Sequence, residues 1–152
     1  MKHFWLYMVV LISLAFMLLF SLGGGIWGAQ STLTHWTGEM FRGVCHQNPE
    51  RSFWFKGAYM AVNTRCFGIF FGLFLGWILM PLLSWKKMNN YWAVWVLVLA
   101  IAAQIIDYSG NLLQWWENTN MSRFYLGLVL GAAIPLTLVD QFYIKQNERK
   151  NE

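Results

Sequence analysis

Long uncharged runs, a scarcity of charge and an excess of Trp and Tyr predict an all-α integral membrane protein. Four transmembrane helices are expected, with a short interfacial segment between the first two. Of the 152 residues, 57% are hydrophobic and 12% are charged, where soluble domains carry about 25% charged residues. Ten Trp and six Tyr suit a chain that meets two membrane–water interfaces, since amphipathic rings collect there. The length suits one membrane domain over 1–152. The net charge of +4 comes from residues beside apolar runs, not from one basic stripe. Membrane lipids are therefore the expected partners, and nucleic acid is not.

The first expected span runs from about 4 to 22, uncharged and rich in Leu, Met, Val and Phe. At about 1.5 Å per residue it can cross a hydrocarbon core of roughly 30 Å. A cleaved signal peptide is the alternative, but its apolar region is about 7–15 residues long, so a retained span is expected. Gly23-Gly24-Gly25 should then loosen or end the helix, because glycine is costly inside one. From Ser31 to Gly43, Leu33, Trp36, Met40 and Val44 recur at three- and four-residue spacing. This predicts an amphipathic interfacial helix with Ser31 as N-cap and Gly43 as its stop. A loop of the same composition is the alternative.

The second span is expected over 66–85, uncharged and closed by Lys86-Lys87. Gly68, Gly72 and Gly76 repeat every fourth residue and offer a smooth face for another helix. Ordinary glycine enrichment in membrane helices reads equally well. Asn89-Asn90 read as a turn, 91–106 as the third span ending before Asp107, and 124–144 as the fourth. Gly127 and Gly131 give the fourth span a similar small-residue face.

Four spans place both termini and the 86–90 turn on one side, with Lys2, Lys86, Lys87, Lys145, Arg149 and Lys150. The other side carries Arg42, Arg51, Lys56, Arg65 and Arg123. This small excess puts both termini in the cytoplasm by the positive-inside rule. An up-down-up-down path also brings Arg65, Cys66, Asp107 and Arg123 to similar depth on the other face. Ionisable groups there are costly unless paired, and mark function by default. The plain structural expectation is an Asp107–Arg65 or Asp107–Arg123 pair. A positive surplus then remains for a phosphate or carboxylate, which guanidinium forks grip bidentately.

Cys45-His46-Gln47, Arg51-Ser52-Phe53 and Arg65-Cys66-Phe67-Gly68 resemble the signature of a family of small prokaryotic membrane proteins carrying a domain of unknown function. The family pattern reads Cys-His-Gln, Arg-Ser-Phe, then Pro-Val-Cys-x-Arg-Cys-x-Gly, followed by an Asp, a Gln and Asn-x-x-Arg. Asp107, Gln114, Asn120 and Arg123 fit that last part. The likeness covers roughly 40 to 135. Asn63 stands where the family has the first Cys of Cys-x-Arg-Cys, and Ala61 where it has Pro. The resemblance implies a prokaryotic inner (plasma) membrane and brings no established activity.

Three chemistries compete for this motif. Cys45, His46 and Cys66 are acceptable zinc ligands. The family pattern implies three sulfurs and one imidazole; here Asn63 removes a sulfur, leaving His35, Glu50, Asp107 or water to complete the set. Alternatively, Cys45 and Cys66 form a disulfide on an oxidising face; neither lies in a Cys-x-x-Cys motif typical of exchange-active pairs. Lastly, Cys45 and Arg51 have the spacing of a cysteine-phosphatase loop, making Cys45 and His46 catalytic candidates. That loop normally carries glycine, and Gln47-Asn48-Pro49-Glu50 has none. The spans contain no His to ligate haem.

The leading expectation is a polar site on the extracytoplasmic face that recognises, or processes, an anionic group such as a lipid head-group phosphate. Arg51, Arg65 and Arg123 would bind the anion, and Asp107, Asn120 and Gln114 would orient them. Cys45, His46 and Cys66 would shape or staple the loop. The alternative is a non-catalytic membrane subunit or scaffold whose motif is structural. Its glycine faces would bind a membrane-protein partner or a second copy.

Overall fold

The computed structural model describes residues 4–84 and 90–142. Helix α1 spans Phe4–Ser21, a short α2 Gly24–Trp27 and α3 Thr32–Phe41. A 3-10 turn at Pro49–Arg51 and a hairpin of β1 (Trp54–Phe55) and β2 (Ala58–Tyr59) follow. Helices α4 (Thr64–Ser84), α5 (Asn90–Leu112) and α6 (Asn120–Phe142) complete the chain. Among the described residues, α1, α4, α5 and α6 are long and apolar enough to cross a membrane. Pro81 and Pro135 both lie inside continuous helices.

The helices lie in the order α1, α4, α6, α5, with α4 on α6 the most extensive contact. Glycine is the reason. A Cβ on Gly68 would strike the carbonyl of Phe124, and one on Gly72 the carbonyl of Leu128. From the other side, a Cβ on Gly127 would strike the carbonyl of Arg65, and one on Gly131 that of Ile69. Both backbones therefore approach as closely as small-residue faces allow. The matched order of contacts makes α4 and α6 parallel. The glycine faces expected to receive a partner helix are used up against each other, because the best complement to each lies in the same chain.

Two apolar clusters hold the ends. Tyr7, Trp77, Met80 and Phe142 form one. There the Tyr7 hydroxyl donates to the Trp77 carbonyl (3.2 Å), and Trp77 Nε1 donates to the Tyr7 carbonyl (3.1 Å). Phe41, Cys45, Ala61, Val62 and Phe70 form the other, with Met17, Leu18, Phe20 and Cys66 packed on it. Most of α1 and α5 is outward-facing and apolar, which suits helices bathed in lipid.

Several boundaries differ from expectation. Helix α4 starts at Thr64, two residues before the expected span, so Arg65 lies in its first turn with Cys66. Helix α5 runs past Asp107 to Leu112, because that carboxylate is paired and does not mark the helix end. Trp116 seats against Gly110, where any Cβ would enter its ring. Gly43 is not the left-handed stop; α3 ends with Arg42 in right-handed helical geometry. Ser31 does cap α3, its hydroxyl accepting from the Thr34 N–H at 3.2 Å. Thr37 and Phe41 face inward, whereas Leu33, Trp36, Met40 and Val44 are exposed. Lys2, Lys86, Lys87, Asn89, the expected end at Ile144, Lys145, Arg149 and Lys150 lie outside the described residues.

The hairpin adds a small β element to the expected all-α fold. Lys56 (φ 47°) and Gly57 (φ 84°) form its two-residue turn, and positive φ at both suits the twist of a tight hairpin. Trp54 faces Tyr59 across the ladder, ring to ring at 4.6 Å. Gly23-Gly24-Gly25 is the hairpin's seat. Gly23 has φ 50°, and a Cβ there would lie 2.8 Å from the Ala61 nitrogen. A bond from the Ala61 N–H to the Ser21 carbonyl (3.1 Å) fixes the contact.

Candidate functional site

The 45–63 segment folds over the N-termini of α4 and α6. Its entry is set by Gln47, held at φ 47° while its side-chain amide donates to the Gly38 carbonyl of α3 at 2.6 Å. Asn48 caps the 3-10 turn through the Glu50 N–H (3.0 Å). Two contacts then dock the turn on α6. Asn120 Nδ2 donates to the Glu50 carbonyl (3.2 Å), and the Phe53 ring meets Phe124 edge-on at 5.9 Å. Phe124 also stacks on Phe67 of α4 at 5.8 Å. One aromatic thus ties the loop, α4 and α6 together.

Arg65 on α4 forms an ion pair with Asp107 on α5. Asp107, 12% exposed, also accepts from Asn118 Nδ2 at 2.7 Å. Asn118 is itself positioned by its N–H, which donates to Asn111 Oδ1 at 3.2 Å. The Nε of Arg65 is buried and has no partner among the described residues. Arg123 lies within electrostatic range of Arg51, Arg65 and Asp107, and its Nη1 donates to Asn120 Oδ1 at 3.4 Å. Among the described residues neither Arg51 nor Arg123 makes an ion pair with a carboxylate. The three arginines named from sequence thus gather at one end of the helices with Asp107.

Gln114 stands apart. It is exposed in the α5–α6 turn at φ 58°, and among the described residues no side-chain bond ties it to the arginines. The orienting amide is Asn118 instead. In the sequence it was one of several polar residues between Asp107 and Arg123, and no spacing singled it out.

Cys45 is 5% exposed and sits at the N-terminus of α4, where the Asn63 N–H donates to its Sγ at 3.1 Å. Cys66 packs on the same apolar cluster. Both cysteines are free thiols, not the expected disulfide. The neighbouring Cys66 thiol, with the N–H groups of Asn63, Gln47 and His46, lowers the Cys45 pKa to about 6 against the cost of burial. Asn63 has a second role: its Oδ1 accepts from Ser52 Oγ at 3.3 Å.

Among the described residues no three His, Cys, Asp or Glu side chains come together in a metal-holding group. Cys45, His46 and Cys66 therefore do not assemble as zinc ligands, because His46 points out of the cluster into an exposed position. A phosphatase-type cradle is not formed either. Cys45 follows a helix, and Pro49–Arg51 is a 3-10 turn, not the strand-to-helix loop that chemistry uses. The exposed His46 and the buried Cys45 also face different surroundings.

A family model described as "Predicted membrane protein (DUF2085)" matches residues 45–137, from Cys45 to Thr137. The chain belongs to the DUF2085 family. The match begins at the buried cysteine of the site and covers the loop, α4, α5 and most of α6. The DUF2085 chain is 33% identical over 102 residues to an uncharacterised protein of Methanocaldococcus jannaschii, across 66% of this chain and 64% of that one. It thus spans just under two thirds of that relative. It is 36% identical over 96 residues to an uncharacterised protein of Methanothermobacter thermautotrophicus, across 62% of this chain and 83% of the other. No solved structure matches it.

Proposed function

We propose that this DUF2085 protein recognises an anionic phosphate group of a membrane lipid at the extracytoplasmic end of its helices. One observation carries the reading: Arg51, Arg65 and Arg123 share a site whose ion-paired carboxylate, Asp107, is committed to Arg65. Two guanidinium groups are left without carboxylate partners among the described residues, beside apolar spans. Uncompensated charge on the half-buried Arg123 is costly there; a phosphate held by planar forks offsets it, and the exposed Arg51 can join from the loop. Exposed Trp54, Trp116 and Tyr125 in the same region suit the head-group level of a bilayer. In this reading Asp107 and Asn118 fix Arg65, and Asn120 fixes Arg123 and the loop that carries Arg51.

The test titrates the detergent-purified protein with phosphatidylglycerol and, separately, phosphatidylcholine, following the intrinsic Trp fluorescence. The anionic lipid should bind at least about tenfold more tightly, equivalent to about 1.4 kcal/mol. An Arg51→Gln, Arg123→Gln double variant should lose that preference. Equal preference in wild type and variant would overturn the reading.

A further inference from the structure

We propose that Cys45 and Cys66 form a thiol–disulfide exchange pair in which the half-exposed Cys66 attacks and the buried Cys45 takes its proton and then resolves. The sequence lacks a Cys-x-x-Cys motif because the pair is assembled by tertiary contact. Cys45 leaves α3 and tucks under the start of α4. Asn63, whose N–H reaches the Cys45 sulfur at 3.1 Å, is three residues before Cys66. Asn63 immediately precedes the helix and Cys66 lies in its first turn, on the same side, so Cys66 packs on the cluster that holds Cys45. The N-terminus of a 21-residue helix favours negative charge, so Cys45, whose sulfur accepts the Asn63 N–H, is the natural thiolate and the base for Cys66. Exposure divides the roles: Cys66 is partly open and adjoins Arg65, while Cys45 is sealed in the apolar cluster.

The reactant class is a small disulfide, R–S–S–R. As Cys66 passes its proton to Cys45, its sulfur attacks one sulfur of R–S–S–R. The S–S bond breaks, and R–S⁻ leaves and takes the proton from Cys45. The Cys45 thiolate then attacks Cys66 Sγ in the mixed disulfide, forming the Cys45–Cys66 bond and expelling the second R–S⁻, which is protonated from water. A Cys45 thiolate, a Cys66 thiol and one disulfide become one protein disulfide, one R–SH carrying the Cys66 proton and one R–S⁻ that water protonates. The product ties the arginine-bearing loop covalently to α4. The exchange rests on contacts within the chain and not on the lipid reading, so either can fail alone.

The experiment equilibrates the full chain in detergent with mixtures of oxidised and reduced glutathione, quenches with acid, and maps both cysteines by mass spectrometry. The expected product is an intramolecular disulfide that forms and reverses with the ratio. At early times in the wild type the glutathione adduct should sit on Cys66. Cys45→Ser should accumulate that adduct, and Cys66→Ser should show at least about tenfold less adduct, on Cys45, than Cys45→Ser shows on Cys66. Early adduct on Cys45 in the wild type, two free thiols at every ratio, or disulfides only between chains would each overturn the proposal. The wild-type time course decides the roles even if a serine variant fails to fold.

Discussion

Arg65 and Asp107, 42 residues apart and on different helices, meet in an ion pair at one end of the transmembrane helices. The pair joins α4 to α5, which otherwise packs mainly on α6. It also takes the carboxylate that would have neutralised Arg123. The same contact therefore serves the fold and creates the charge surplus of the site.

Removing the carboxylate should cost stability. Asp107→Ala leaves Arg65 and Asn118 without their shared acceptor, and each is only partly open to solvent. The expected loss is about 1–3 kcal/mol, scaled down from a fully buried pair because Arg65 is 26% exposed. Thermal unfolding in detergent measures it. A melting temperature equal to wild type would show that the pair is not structural.

Gly68→Ala and Gly72→Ala should each be more damaging than their size suggests. The new methyl would meet backbone carbonyls of α6, which cannot rotate away as a side chain can. Overpacking of this kind costs about 1–3 kcal/mol or more. Gly38→Ala is the control, since a Cβ there meets nothing. Unfolding in detergent should rank the control near wild type and both α4 variants well below it.

The reciprocal Tyr7–Trp77 bonds anchor α1 to α4 at the opposite end. Tyr7→Phe removes one donor and keeps the stacked ring, at 5.7 Å from Trp77. A loss of about 1 kcal/mol is expected. Faster proteolysis between α1 and α3 at unchanged helicity would report the same loosening.

Stability should depend on pH through Cys45. Its pKa is about 6 in the folded protein against about 8.5 in an unfolded chain, so the folded state binds fewer protons between those values. The stabilisation is absent below about pH 6, grows as pH rises, and is complete above about 8.5. Under reducing conditions the melting temperature of wild type relative to Cys45→Ser should rise from pH 6 to pH 8.5. A flat difference would mean that Cys45 stays a neutral thiol.

Local chemistry carried much of this molecule in readable form. Uncharged runs of membrane-spanning length sufficed to find the four long helices, since a backbone in hydrocarbon must satisfy its own hydrogen bonds. Ser31 was legible as a cap because a cap involves residues three apart. Arg65, Asp107 and Arg123 were legible as neighbours because alternating spans return ionisable residues to one side.

Tertiary structure decided what depends on which surface meets which. The glycine repeats looked the same whether they faced another protein or another helix of this chain, and only the close parallel packing of α4 on α6 resolved that. The tight hairpin over Lys56-Gly57 was hidden by its two-residue strands, too short for any periodic signal. Asn118 was chosen over Gln114 by the turn geometry between α5 and α6. Cys45 came to the start of α4 through an N–H 18 residues along the chain from its sulfur. Hydropathy and caps act along the chain and can be read there; contacts between distant residues exist only once the backbone has closed.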